Sequence, residues 1–63
     1  MTDHAFKVGQ LVDYRPKLFS GAARGAYEVT QQMPMEEGEF RYRIRSQHED
    51  HERVARESEL SGL

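Results

Sequence analysis

Residues 39–45 alternate large apolar side chains with arginines, and this alternation constrains the fold more strongly than any other stretch. Phe40, Tyr42 and Ile44 share one parity, and arginines occupy the positions between and after them. A period of two over this length is typical of a β-strand with one buried face and one solvated face. We therefore predict a strand that supplies core side chains on one side. Its opposite side carries Arg41, Arg43 and Arg45.

Size and composition restrict what this strand can belong to. A chain of 63 residues makes one domain at most, and its margin of stability is thin because a small domain buries a limited share of its surface. The sequence contains no cysteine, so neither disulfides nor thiolate metal sites are available. No apolar run approaches the ~20 residues of a membrane span or forms the core of a signal peptide. We expect a cytoplasmic protein that has no membrane contact.

Two further strands precede the arginine-bearing strand. Residues 8–14 form the first, with Val8, Val12 and Tyr14 on one face. Residues 26–33 form the second, which places Tyr27, Val29, Gln31 and Met33 on one face. Residues 34–38 begin with proline and end with glycine, so they predict a hairpin turn that leads back into the central strand.

The apolar faces of this hairpin must coincide, which limits the pairing register. Only registers in which opposed residue numbers sum to an odd value satisfy this condition. One such register opposes Tyr27 to Ile44 and Glu28 to Arg43, and the other opposes Val29 to Ile44 and Glu28 to Arg45. Either register leaves two of the three arginines with no carboxylate directly across the hairpin.

Residues 46–60 allow two interpretations. Ser46 followed by Glu49 matches a capping box and favours a helix, but such a helix would have a poor apolar stripe. The alternative is a polar turn, a short strand over residues 53–56 and a 3₁₀ turn that places Leu60 in the core. We favour the strand, because a sheet of this size needs a fourth or fifth strand more than a polar helix. If residues 46–60 form a helix instead, the architecture is a three-stranded sheet with a C-terminal helix.

Four stretches together resemble small SH3-like β-barrels of the Tudor and KOW type. The matching stretches are residues 8–14, 25–29, 42–45 and 53–60. The pattern is also similar to small bacterial single-domain proteins. The resemblance implies an all-β barrel of four or five short antiparallel strands with a C-terminal 3₁₀ turn. We expect residues 1–5 to form a disordered leader, residues 6–60 the domain and residues 61–63 a tail.

The arginine side of the central strand is the leading candidate site. Guanidinium groups suit phosphate oxygens, and contacts to the phosphate backbone dominate nucleic-acid affinity. We expect Arg41, Arg43 and Arg45 to contact RNA or single-stranded DNA, with Tyr27 available to stack on bases. The competing interpretation is a solvated face of mixed charge, which fits the net charge of −2.

A protein-interaction module is the alternative function. Small barrels bind peptides in a groove or by adding a strand to an open edge. Leu18, Phe19 and Met35 would be the anchors, unless they complete the core. We expect a monomer or a weak dimer, and self-association through an edge strand belongs to this hypothesis. Enzyme activity is not expected, since the sequence has no recognisable nucleophile or phosphate-binding motif.

Two histidines near the C-terminal end of the sequence form a further cluster. His48 and His51 are separated by an H-x-x-H spacing within an acidic stretch, and on a helix they would share one face. We interpret the cluster as a solvated polar turn and expect no metal and no cofactor.

Overall fold

The computed structural model describes residues 4–16, 21 and 25–63 of the chain. Within these residues the chain forms five β-strands and one 3₁₀ turn, with no α-helix. The strands are β1 (Leu11–Tyr14), β2 (Ala26–Glu36), β3 (Glu39–Ser46), β4 (Glu52–Arg56) and β5 (Leu60–Gly62), and the 3₁₀ turn spans Glu57–Glu59.

The strands form one antiparallel sheet in the order β4-β3-β2-β1-β5. Consecutive strands pair along the chain, except that β5 returns to pair with β1 on its free side. The predicted all-β fold with a C-terminal 3₁₀ turn is therefore confirmed. In the described part of the chain no ladder joins β4 to β5, so the sheet is not closed.

One face of the sheet, here called the inner face, carries the core. The strand alternation of β3 places Tyr42 and Ile44 on it at 0% exposure, as the sequence predicts. Each such side chain contributes roughly 1.5–3 kcal/mol through burial. The other buried apolar residues are Val12, Tyr27, Val29, Ala55 and Leu60, with Phe6, Tyr14 and Phe40 packed against them.

The first strand is shorter than predicted. β1 begins at Leu11, and Val8 lies before it in a turn and is exposed. Gly9 adopts φ 91° in that turn and donates its N–H to the Val29 carbonyl at 2.7 Å. The predicted shared face of Val8 and Val12 is wrong because the chain reverses at Gly9, whose positive φ a residue with a side chain rarely adopts.

The hairpin register is the second of the two expected. Tyr27, Glu28 and Val29 oppose Ser46, Arg45 and Ile44 respectively. A register shift follows between Val29 and Gln31, so Met33 opposes Arg41 and Gln32 opposes Tyr42. Met33 and Gln31 were predicted to share the face of Tyr27 and Val29, and this prediction is wrong. The extra residue in β2 after Val29 moves the following side chains to the opposite face.

The hairpin is also tighter than predicted. Strand β2 continues through Pro34 to Glu36, and only Glu37 and Gly38 form the turn. Both residues have positive φ, 54° and 84°, as a two-residue turn of type I′ requires. Pro34 has no backbone N–H to donate to a neighbouring strand. The strand tolerates it because β1 pairs with β2 only as far as Glu28, and because a register shift interrupts the β2–β3 pairing between Met33 and Glu36.

The C-terminal stretch forms a strand and a 3₁₀ turn, as favoured over a helix. The hydroxyl of Ser46 accepts the His48 N–H at 3.0 Å, and the Glu49 N–H reaches the Ser46 carbonyl at 3.2 Å. These bonds close a turn after β3 instead of starting a helix. Leu60 then enters the core at 8% exposure, and β5 extends through residues 61–62 of the expected tail.

Candidate binding surface

The face of the sheet opposite the core, here called the outer face, carries all three predicted arginines. Arg41, Arg43 and Arg45 point there because they alternate with the buried residues of β3. The pairing also aligns Leu11 of β1 and Val54 of β4 with this face, since they oppose Glu28 and Arg43. The outer face therefore combines cations, carboxylates and apolar side chains.

Each arginine of β3 lies near a carboxylate. The separation is 3.8 Å from Arg45 to Glu28, 3.7 Å from Arg43 to Glu52 and 3.7 Å from Arg41 to Glu36. Only Glu28 faces its arginine directly across the β2–β3 hairpin, so the expectation that two arginines lack an opposed carboxylate is confirmed. The additional carboxylates come from β4 and from the end of β2.

Strand β4 adds a further cation to the outer face. Arg56 lies directly opposite Arg41, an arrangement of like charges that is unfavourable on its own. Its guanidinium lies 3.5 Å from Glu37 in the hairpin turn, which offsets the repulsion. These pairs are partly exposed, so each contributes little to stability and can exchange partners at low cost.

Apolar side chains interrupt this charged surface. Leu11 is 53% exposed and Val54 is 47% exposed. Leu11 borders a depression of about 210 Å³ whose other lining residues are Ala26, Glu28, Arg45 and Gln47. A cavity of this size accepts one apolar side chain, with the Glu28–Arg45 pair at its rim.

Tyr27 does not belong to this surface. It lies on the inner face at 1% exposure, with its ring 5.3 Å from that of Tyr14 in an edge-on arrangement. Burial, followed by the charge of Glu49, raises the pKa of Tyr27 above its ordinary value. The strand alternation turns its ring away from the arginines, so the fold gives no support to its predicted stacking on bases.

The structure describes one of the three predicted partner-binding residues. Met35 is exposed near the end of β2, next to the hairpin turn. Leu18 and Phe19 lie outside the described residues. Met35 therefore stays a candidate anchor.

A partly buried ion pair joins β4 to the turn that precedes it. Arg53 donates from Nε and a terminal nitrogen to Glu49, at 2.9 and 2.8 Å. The Tyr27 hydroxyl donates to Glu49 at 3.4 Å. Hydrogen bonding to Glu49 raises the pKa of Arg53 above its ordinary range. The sequence did not predict this pair, because a four-residue spacing brings side chains together on a helix, and these two residues lie in a turn and a strand.

A second polar cluster holds the segment before β1. The Tyr42 hydroxyl donates to Glu57 and accepts the Phe6 N–H at 3.3 Å, while the Ala5 N–H donates to Glu57 at 3.1 Å. His4 stacks on Phe40 at 4.0 Å, and its Nε2 donates to the Met33 carbonyl at 2.7 Å. Within the expected leader, His4 thus contacts the sheet and Ala5 contacts the 3₁₀ turn.

Burial and the hydrogen bond to Glu57 raise the pKa of Tyr42 to about 12. The phenol therefore remains a neutral donor throughout the physiological range. No sequence pattern linked Tyr42 to Glu57, because the two are joined only by the 3₁₀ turn packing against β3.

The histidine cluster lies in the turn between β3 and β4. His48 and His51 are exposed, and Nδ1 of His51 lies 3.4 Å from the Asp50 carboxylate. Across the described ranges, no three histidine, cysteine, aspartate or glutamate side chains are grouped as metal ligands would be.

Comparisons with protein-family models, with curated proteins and with solved structures found no match to this chain. Among the residues described, no helix has the length and apolar character needed to cross a membrane.

Proposed function

We propose that this protein is a small, non-enzymatic binding module that recognises a protein partner through the outer face of an SH3-like sheet. The observation that carries the proposal is the composition of that face. Exposed Leu11 and Val54 lie among arginines that each have a carboxylate between 3.5 and 3.8 Å away. Arginine beside exposed apolar side chains is typical of protein-binding surfaces.

The SH3-like part of the proposal draws on the order of the strands. A meander of four strands, a 3₁₀ turn and a last strand that pairs with the first would suit a small barrel of this type. Such a fold does not fix a function, so the partner has to be argued from the surface.

Charge balance favours a protein over a nucleic acid. Phosphate binding benefits from a net positive surface, but carboxylates lie beside the arginines of β3 and the whole chain carries a net charge of −2. The aromatic residue expected to stack on bases is buried. Contact of RNA or single-stranded DNA with Arg41, Arg43 and Arg45 stays a prediction that the same experiment tests.

The depression beside Leu11 suggests the form of the partner. It suits a short extended peptide that inserts one apolar side chain and places an acidic and a basic residue beside Arg45 and Glu28. Opposite charges at the rim would fix the direction of the peptide, while the apolar contact would supply most of the affinity.

A displayed library of random peptides tests this proposal directly. Peptides selected on the wild-type protein are expected to bind Leu11→Glu roughly tenfold or more weakly, because the new carboxylate enters the apolar contact. Val8→Glu is the matched control, since Val8 is also an exposed apolar residue but lies in the turn before β1. Selected peptides that bind both variants as tightly as the wild type would refute the proposal.

Binding of fluorescent single-stranded RNA and DNA tests the competing nucleic-acid hypothesis. At low salt we expect no binding that depends on Arg41, Arg43 and Arg45. Binding that weakens steeply with salt and disappears in the triple alanine variant would replace the protein-binding proposal with the nucleic-acid one.

A further inference from the structure

Strand β4 forms one edge of the sheet, and half of its backbone groups face outward. In the described part of the chain β4 pairs only with β3. The Arg56 N–H donates to the Glu59 side chain at 2.9 Å, away from β3. Because backbone direction alternates along a strand, the N–H and C=O groups of Val54 and Glu52 also face the open edge.

The opposed pair Arg43 and Val54 gives an independent check on this direction. The Arg43 carbonyl accepts a hydrogen bond from the Thr30 hydroxyl at 3.1 Å, on the side of β2. Arg43 therefore directs its backbone groups away from β4, as expected if it and Val54 form a non-hydrogen-bonded pair. The outward groups of Val54 are thus available to another strand.

We propose that two copies of this protein associate by antiparallel pairing of their β4 strands, centred on Val54. The two-fold axis would pass between the two Val54 residues. Glu52 of each copy would then oppose Arg56 of the other, and Arg53 would oppose Ala55. The sheets of the two copies would become one continuous sheet.

Charge complementarity selects this register. With Val54 opposite itself, two exposed valines meet and both ends of the strand place opposite charges across the interface. A two-fold register centred on Glu52 would oppose two carboxylates, and one centred on Arg56 would oppose two guanidinium groups, both of which are unfavourable. The charged side chains can re-pair at low cost because they are partly exposed.

The edge is also restrained, so the dimer is weak. β4 has five residues and would bury a small interface. Glu59 already accepts the Arg56 N–H, which competes with pairing at one end of the strand. This inference concerns the β4 edge and does not depend on the peptide site beside Leu11.

A charge-exchange experiment tests the register by analytical ultracentrifugation. The wild-type protein is expected to dimerise reversibly as its concentration rises. Glu52→Arg alone and Arg56→Glu alone each place like charges across both ends, and each is expected to weaken self-association roughly tenfold. Mixing these two variants restores opposite charges at both ends, so a heterodimer as tight as the wild-type dimer is expected.

A matched control separates register from general attraction between oppositely altered proteins. Asp13→Arg and Arg15→Glu change the net charge by the same amounts but lie in and just after β1, three strands away from β4, and each is expected to dimerise like the wild type. A wild-type protein that remains monomeric at all accessible concentrations would overturn the proposal. Equal dimerisation by either single β4 variant, or a mixture that stays monomeric, would also overturn it.

Two variants distinguish the β4 dimer from the peptide site beside Leu11. Leu11→Glu should lose peptide binding and keep the dimer, whereas Glu52→Arg should lose the dimer and keep peptide binding. Circular dichroism of both variants establishes that the sheet is intact. Loss of the dimer in Leu11→Glu would contradict the β4 assignment.

Discussion

The two faces of strand β3 differ in what their side chains contribute. On the inner face, Tyr42 and Ile44 are fully buried, and the Tyr42 hydroxyl joins the 3₁₀ turn to the segment before β1. On the outer face, Arg43 and Arg45 make ion pairs longer than 3.5 Å and stay about half exposed. The inner face therefore holds the fold together, and the outer face contributes little to stability.

The largest expected effect is a truncation on the inner face. Ile44→Ala should lower the free energy of unfolding by about 2–5 kcal/mol, because it removes a buried side chain and leaves a cavity. Urea denaturation followed by circular dichroism measures the change. Ile44→Val is the milder control and should cost about 0.5–1.5 kcal/mol. An Ile44→Ala protein as stable as the wild type would contradict the assigned core.

A smaller loss is expected at the Arg53–Glu49 ion pair. Arg53→Ala leaves the Glu49 carboxylate, only 9% exposed, without its guanidinium partner, and should cost about 2 kcal/mol. The double variant Arg53→Ala with Glu49→Ala should lose less than the two single losses combined, as a double-mutant cycle would measure. Strictly additive losses would show that the pair is not coupled.

Alkaline pH should destabilise the fold through ionisation of Tyr42 on the inner face. In the folded protein the pKa of Tyr42 is about 12, against an ordinary value of 10.0, so the neutral phenol is favoured by folding. The unfolded chain loses this proton first, so the stability contribution is complete below pH 10 and is lost as the pH rises towards 12. The loss should reach about 3 kcal/mol at most.

Phenolate absorbance during an alkaline titration checks this expectation, since the chain contains three tyrosines and no tryptophan. Tyr42→Phe keeps the ring and removes the titrating group, so its unfolding free energy should fall less steeply above pH 10 than that of the wild type. Equal slopes for the two proteins would rule out Tyr42 as the main cause.

The smallest effect is expected on the outer face. Arg43→Ala removes an exposed ion pair with Glu52 and should change the free energy of unfolding by about 1 kcal/mol or less. The same urea experiment measures it, and high salt should reduce the difference between the two proteins further. A loss as large as that of Ile44→Ala would erase the distinction between the faces.

Sequence alternation predicted the inner face of β3 and limited the hairpin register near Val29 to two alternatives, because side-chain period and burial are local properties of a strand. The alternation failed for Met33, because nothing in the sequence marks the register shift after Val29 that moves the later side chains to the other face. The tight turn at Glu37 was missed because a glutamate rarely adopts positive φ. Tyr27 is buried, as its parity with Val29 indicates, and this burial does not support its predicted contact with bases.

The candidate surface was only partly predictable. The outward direction of Arg41, Arg43 and Arg45 follows from alternation alone. Their carboxylates at Glu36 and Glu52 depend on diagonal contacts across the hairpin and from β4, which a register argument for one hairpin does not contain.

An exchange of Glu28 and Arg45 tests the central claim most directly. The double variant Glu28→Arg with Arg45→Glu keeps the composition, the net charge and a pair of opposite charges at the same positions. We predict an unfolding free energy within about 0.5 kcal/mol of the wild type. Binding of the selected peptides, measured on the same samples, should fall roughly tenfold. Unchanged peptide binding at unchanged stability would contradict the claim that the outer face recognises a protein partner.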